Sequence, residues 1–169
     1  MLVRSECPGD YDAIGEVNRR AFGQSNEGDL VDALRRSVGF LSDLSLVADE
    51  GGEIIGHILF SKVELMLNGR ETPAAALAPM SVVPERQRQR VGSSLIKEGL
   101  KRLRELSFET VFVLGHTQYY SRFGFDLALA RKVDSVYSGE HFMALELRAG
   151  VLSGANSGKL TYPEAFARI

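Results

Sequence analysis

The chain has 169 residues, a formal net charge of −2 and an apolar fraction of 44%. That is the balance of an ordinary soluble protein, long enough for one domain over residues 1–169 with a full core. It shows no basic excess for nucleic acid, no apolar run long enough to span a membrane and no signal-peptide core in Met1-Leu-Val-Arg-Ser-Glu, so a cytoplasmic protein is expected.

Cys7 is the only cysteine, which leaves no internal disulfide and no cysteine-based metal cluster. His57, His116 and His141 show no metal-ligand spacing, and no metal is expected. Leu2 to Cys7 reads as a short strand in which the Cys7 thiol packs. Pro8-Gly9 ends it, and Asp10 is an N-cap for a helix with Tyr11, Ile14, Val17 and Ala21 on one face. Gly23 stops that helix. Asn26 caps a second one, in which Leu30, Leu34 and Val38 share a face. Leu44 to Ala48 is a strand, Glu50-Gly51-Gly52-Glu53 a turn, and Ile54 to Leu67 a long strand. Asn68-Gly69 is a strong hairpin signal, and Ala74 to Val83 returns as the next strand of an antiparallel meander.

The pattern then changes. Val91, Leu95, Leu100, Leu103 and Leu106 form the apolar stripe of a helix packed on a sheet. Thr110-Val-Phe-Val-Leu114 is apolar throughout, as in a strand buried on both faces. Strand, helix and buried strand in that order make a βαβ crossover, so the sheet is mixed: antiparallel first, parallel later. His141 to Arg148 reads as a further strand. The tail from Ser153 to Ile169 is Gly/Ser-rich and ends in a last helical turn. No repeat, low-complexity block or linker divides the chain.

One stretch carries most of the functional signal. Residues 79 to 96 read Pro-Met-Ser-Val-Val-Pro-Glu-Arg-Gln-Arg-Gln-Arg-Val-Gly-Ser-Ser-Leu-Ile: a strand end, an arginine-rich turn and the start of the helix. Backbone N–H groups left unpaired at a helix start, together with the helix dipole, suit phosphate oxygens. Arg86, Arg88 and Arg90 add positive charge. Alone, such a turn is better explained as a solvated basic turn opening a surface helix.

A second motif, Tyr120-x-x-x-Gly124-Phe125, changes that balance. The first motif, Val82-x-Pro84-x-x-Gln87-x-x-Arg90-x-Gly92, resembles the acetyl-CoA pyrophosphate motif of the GNAT N-acetyltransferase superfamily. The second is similar to the Tyr-x-x-x-Gly-Phe signature near the end of the same fold. They stand in the family's order, separated by a helix and a buried strand. The fuller string from Leu114 to Phe125 and the tail Tyr162-Pro-Glu-Ala-Phe166 look like one uncharacterised bacterial branch. The resemblance implies an α+β fold: a mixed, largely antiparallel sheet flanked by helices, with a βαβ cofactor-binding unit.

It also implies a chemistry, the transfer of an acetyl group from acetyl-CoA to a primary amine of a small molecule or peptide. Met80, Val82 and Val83 would lie beside the pantetheine arm, and the backbone N–H of one of them would meet the oxyanion. Gln87, Arg88, Gln89, Arg90, Val91, Gly92, Ser93 and Ser94 would hold the pyrophosphate. Tyr120 maps onto the family's general acid, with Tyr119 as a packing neighbour. Arg122 is either a surface charge or a guard of the substrate entrance. The base is open among Glu27, Asp29, Glu64, His116 and a water chain. Cys7 lies outside both motifs, which favours direct transfer.

One departure stands out: Arg90 replaces the family's first glycine. Such a side chain costs roughly 1–2 kcal/mol if the position needs a positive φ, and almost nothing if it is helical. The alternative register is Gln89-x-x-Gly92-x-Ser94. The rival function is an acyl-CoA-binding module without turnover. A P-loop or dinucleotide fold is disfavoured, because neither Gly-Lys-Ser/Thr nor Gly-x-Gly-x-x-Gly is present. The chain is expected as a monomer or homodimer.

Overall fold

The structure, a computed structural model, describes residues 1–168. In chain order the main elements are β1 (Leu2–Ser5), α1 (Tyr11–Phe22), α2 (Asn26–Arg35), β2 (Ser45–Glu50), β3 (Glu53–Leu67), β4 (Arg70–Val82) and α3 (Val91–Glu105). There follow β5 (Thr110–Leu114), α4 (Thr117–Tyr120), α5 (Leu127–Ala130), β6 (Val133–Asp134), β7 (Phe142–Glu146) and β8 (Gly158–Thr161). The sheet order is β1-β2-β3-β4-β5-β7, with β8 paired to β3 and to β6. β1–β2 and β2–β3 are antiparallel, β4–β5 is parallel and β5–β7 is antiparallel. The mixed, largely antiparallel sheet expected from the sequence is therefore present. The β4–β5 ladder ends at Leu77↔Val113, although β4 itself runs on to Val82.

The chain forms two compact units, and β3 and β4 each run through both. The first comprises Met1–Ser61, Ala78–Arg102 and the turn from Glu164. Its core is built on a close approach of α3 to β3. Gly99 of α3 lies against the Phe60 ring, where an added Cβ would come within 2.1 Å of Cε2. Gly56 of β3 lies under the start of α3, where a Cβ would be 2.9 Å from Val91 Cγ1, 3.1 Å from Leu95 Cδ1 and 3.2 Å from the Ser81 carbonyl. Two missing side chains thus let a helix and a strand meet at backbone distance. Val91, Leu95, Ile96 and Phe60 are all buried there.

Behind the same strand lies a buried polar network. Ser45 Oγ donates to Glu6 at 2.6 Å and lies 2.9 Å from His57 Nε2. Arg35 bonds both Glu6 oxygens, at 2.7 and 2.9 Å. Since the single Ser45 proton goes to Glu6, His57 Nε2 is the donor to Ser45, and Nδ1 stays bare with no partner among the described residues. Burial lowers the His57 pKa, so the ring is neutral. Burial opposes ionisation of Glu6, but the hydrogen bonds from Arg35 and Ser45, with His57 Nε2 3.6 Å away, outweigh it and lower its pKa to about 2. The network joins Glu6, just after β1, to α2, β2 and β3.

The second unit, Lys62–Leu77 and Leu103–Pro163, carries β5, β7, β6 and β8. Phe112 and Phe142 stack at 5.6 Å between β5 and β7. Asn68 and Gly69 both take positive φ in the β3–β4 turn, as the Asn-Gly pair requires.

Several expectations are corrected. Ser25, not Asn26, stands at the N-cap of α2, which stops at Arg35, so Val38 is fully exposed and not on its apolar face. Helix α3 stops at Glu105, which leaves Leu106 exposed. Leu114 is exposed at the end of an otherwise buried β5. Cys7 is exposed, because β1 ends at Ser5 and the chain has already turned. Asp10 occupies the N-cap of α1 without capping it. Its carboxylate takes the Cys7 N–H at 2.8 Å and Arg4 at 2.7 and 2.9 Å. The Gly/Ser-rich tail, read without a strand, contains β8, and its last turn, Glu164–Arg168, is a 3₁₀ helix. Ile169 lies outside the described residues.

Gly99→Ala is expected to destabilise the fold by about 1–3 kcal/mol, because Phe60 is buried and has no space to yield to the new methyl group. Denaturant unfolding of the variant against the parent measures this. An unchanged midpoint would mean that the helix is not held against β3 as described.

Candidate functional site

Two stretches carry the residues singled out by the sequence, one in each unit. In the first unit, β4 leads into a 3₁₀ turn, Pro84–Arg86, and then α3. Val83 N–H donates to Ile55 O at 3.0 Å, which ties the end of β4 back to β3. That N–H is occupied and is not free for an oxyanion. Val82, the neighbouring residue, turns its backbone groups to the opposite edge, where its carbonyl accepts Gln87 Nε2. There, beyond Leu77, the ladder with β5 has ended. Of the three oxyanion donors named from sequence, Val83 thus has its N–H taken by Ile55 O.

The turn is braced by its own side chains. Gln87 Nε2 donates to Val82 O at 3.1 Å, and Gln89 Nε2 to Glu85 O at 2.9 Å. Arg20 of α1 grips Glu85 at 2.5 and 2.6 Å. Arg86 pairs with Glu50 at the end of β2. The side chains of Gln87, Gln89 and Arg86 thus support the turn, which leaves the backbone as its open face. Arg88 and Arg90 are exposed, and no acidic side chain among the described residues is recorded with either.

The backbone conformation decides the question raised by Arg90. Arg88 has φ 61° and Arg90 φ 68°, both in the left-handed region that favours glycine. Arg90 is therefore strained, by roughly 1–2 kcal/mol, where the family places glycine. Its carbonyl accepts Ser94 N–H at 3.0 Å and Ser94 Oγ at 3.1 Å, which opens α3. The N–H groups of Val91, Gly92 and Ser93 have no acceptor one turn earlier, and no other backbone acceptor is recorded for them among the described residues. Alternating left-handed residues followed by a helix start form a concave set of N–H donors, a shape that binds anions.

In the second unit, Tyr120 ends the short helix α4 after β5. Gly115 makes room for it, since a Cβ there would lie 2.5 Å from Tyr120 Cε2. Tyr119 meets the Tyr120 ring edge-on at 5.1 Å, and Phe125 does so at 5.8 Å. Gly124, φ 94°, turns the chain so that Phe125 reaches that position. The Tyr-x-x-x-Gly-Phe spacing thus has a local purpose: it builds an aromatic cage around Tyr120. Burial pushes the phenol above its usual range, and Tyr119 adds to this. Tyr120 is therefore a neutral hydroxyl donor near pH 7. The contribution of Gly115 is one the sequence reasoning missed. Its only signal was a glycine directly after a buried strand.

The base candidates differ in their surroundings. Glu27 accepts Gln24 Nε2 at 3.0 Å, and Asp29 accepts Ser25 Oγ at 3.2 Å, as local helix-start contacts. Glu64 is exposed on β3 opposite Thr161. His116 is exposed at the start of α4, where its carbonyl accepts the Tyr119 and Tyr120 N–H groups. Among the described residues no group of three or more His, Cys, Asp or Glu side chains is placed to hold a metal ion. No helix among them is long and apolar enough to cross a membrane.

Comparison with known proteins agrees with this geometry. The family described as Acetyltransferase (GNAT) domain matches residues 3–128. The uncharacterized N-acetyltransferase YjhQ of Escherichia coli is 43% identical over 117 residues, which span 69% of this chain and 65% of its own, so less than two thirds of that relative is covered. The uncharacterized N-acetyltransferase YhbS of Escherichia coli is 36% identical over 171 residues, 99% of each. Its crystal structure in complex with CoA superposes with a TM-score of 0.86 at 33% identity, covering 99% of this chain and 92% of that one. A GNAT family acetyltransferase from Brucella melitensis, solved in complex with acetyl-CoA, gives 0.78 at 34% identity, with 98% and 97% covered. The family match takes in both the anion-ready turn and the Tyr120 cage, and on that ground the chain belongs to the GNAT acetyltransferase family.

Proposed function

We propose that the chain is an acetyl-CoA-dependent N-acetyltransferase of one domain, transferring acetyl directly to a primary amine of a small molecule or peptide. The observation that carries the cofactor assignment is the turn from Gln87 to Ser94. It has positive φ at Arg88 and Arg90 and free N–H groups at Val91, Gly92 and Ser93. This is a backbone receptor for a diphosphate. Relatives of known structure were crystallised with CoA and acetyl-CoA, which supports the same ligand class here.

The pantetheine arm would run beside Met80 to Val83. The amine nitrogen would attack the thioester carbon, and Met80 or Val82 N–H would receive the developing oxyanion. Collapse breaks the C–S bond, and the electron pair leaves on sulfur. Tyr120 would donate its proton to that thiolate, giving CoA thiol and an acetamide. The proton lost by the amine passes to solvent, directly or through Glu27, Asp29, Glu64 or His116. The raised Tyr120 pKa keeps the donor protonated. A thiolate held away from water is also a stronger base, which favours the transfer. Release of CoA thiol in the presence of an amine panel tests the reading against a module that binds acyl-CoA without turnover.

Four variants separate the parts. Gly92→Asp places an anion at the N–H groups and should weaken acetyl-CoA binding, read by calorimetry. Unchanged affinity would put the cofactor elsewhere. Arg90→Gly relieves the positive-φ strain, while the added freedom of the unfolded chain offsets part of the gain. Stability should rise by up to about 1 kcal/mol in denaturant unfolding, with cofactor affinity changed by less than about tenfold. Complete loss of binding would make Arg90 a principal phosphate ligand. Tyr120→Phe should lower kcat by roughly 10²–10⁴-fold with acetyl-CoA binding kept, and Tyr119→Phe should matter much less. If neither change affects kcat, solvent protonates the thiolate.

A further inference from the structure

Arg122 belongs to none of the roles above, yet its side chain is held in place. It lies on the 3₁₀ turn Ser121–Phe123, two residues beyond Tyr120. Its guanidinium carbon is 4.6 Å from the Tyr119 ring centre and 5.5 Å from that of Phe123. Its Nε donates to the Tyr119 carbonyl at 3.3 Å. Two aromatic faces and a carbonyl thus fix a long, exposed side chain that would otherwise be free to move. Arg4, Arg20, Arg35, Arg86 and Arg102 each bond a carboxylate of this chain. Arg122 is recorded with none among the described residues, and the Nη1/Nη2 edge of its fork has no recorded protein partner. Arg88 and Arg90 also lack a recorded acidic partner among the described residues, but neither side chain is recorded against a ring or a carbonyl. An ordered guanidinium with an open edge matches a carboxylate that bonds it in two places.

We propose that Arg122 receives a carboxylate of the acceptor, which makes the acceptor class primary amines that also carry a carboxylate, such as amino acids. This rests on the acetyl-transfer reading above. Arg122 is here a specificity-determining residue: it takes no part in bond making and acts on acceptor binding. A phosphate of the cofactor is the competing occupant of the same fork, and the kinetics distinguish the two.

The test uses the full chain, acetyl-CoA and a panel of primary amines. Each amine is supplied as a matched pair, the free carboxylate and its carboxamide, and CoA thiol release is followed. The wild-type protein should favour the carboxylate of a pair by about tenfold in kcat/KM, a value at the low end because the site is solvent-exposed. Arg122→Gln should abolish that preference through KM for the carboxylate, leaving kcat and the kinetics of the carboxamide within about twofold. Arg122→Lys should restore part of it, since a lysine keeps the charge and loses the fork. Equal use of both members of every pair by the wild-type protein overturns the proposal. So does an equal loss on both members in Arg122→Gln, which marks a structural role. A rise in KM for acetyl-CoA alone would reassign the fork to the cofactor and overturn it as well. Thiol release from no amine, with acetyl-CoA binding intact by calorimetry, would overturn the transfer reading and this proposal with it.

Discussion

The close approach of α3 to β3 is the constraint on which the candidate cofactor site depends. Helices and sheets usually keep a layer of side chains between them. Here Gly99 on the helix and Gly56 on the strand remove that layer at two points along one contact. Phe60 fills the space at Gly99, and Val91 and Leu95 fill the space over Gly56. The helix start is thereby fixed above the very strand that also binds Val83 N–H through Ile55 O. The length of chain between Val83 and Val91 must close a gap set by those two anchors. A short turn under that demand has few backbone solutions, and two of its residues take positive φ.

The same constraint explains the division of labour in the turn. Phosphate recognition by N–H groups needs a backbone that already has its final shape, because ordering it at the moment of binding would cost affinity. Gln87, Gln89 and Arg86 spend their polar atoms on the turn and its neighbours, and Arg20 reaches in from α1 to hold Glu85. A stretch that reads in sequence as a basic patch is thus a braced scaffold with only part of its charge left over. The strain at Arg90 is carried by that scaffold. A glycine would fit the conformation without it but would add no charge to the turn.

Much of the fold was legible because its signals are local. Asn68-Gly69 fixed a hairpin, Gly23 a helix end, and the uniform apolarity of Val111 to Val113 a buried strand. The errors arose where tertiary context overrode periodicity. Val38 and Leu106 continue the apolar spacing of their helices by one turn, but the helices end first and both side chains lie in water. β8 escaped because a four-residue strand with one buried side chain, Leu160, carries no alternation that differs from a loop; its pairing with Glu64 to Leu67 supplies what its own sequence lacks. Asp10 had the residue type and position of a cap, yet Arg4 offered a stronger, charge-assisted partner, and the Arg4 contact holds its carboxyl below the usual range.

The site was legible as residue types and opaque as roles. The Gln87 side chain supports the Val82 carbonyl, and the N–H of Val83 is bonded to Ile55 O. No sequence rule separates those functions, because they depend on which edge of β4 each group faces. Tyr120 shows the converse case. Its motif spacing pointed to an acid, and the physical reason for the spacing emerged only in three dimensions: Gly115 clears space for the ring, Gly124 reverses the chain, and Phe125 returns to close the cage. A phenol enclosed by rings is kept neutral by burial. The same residues that pack it therefore set its protonation state.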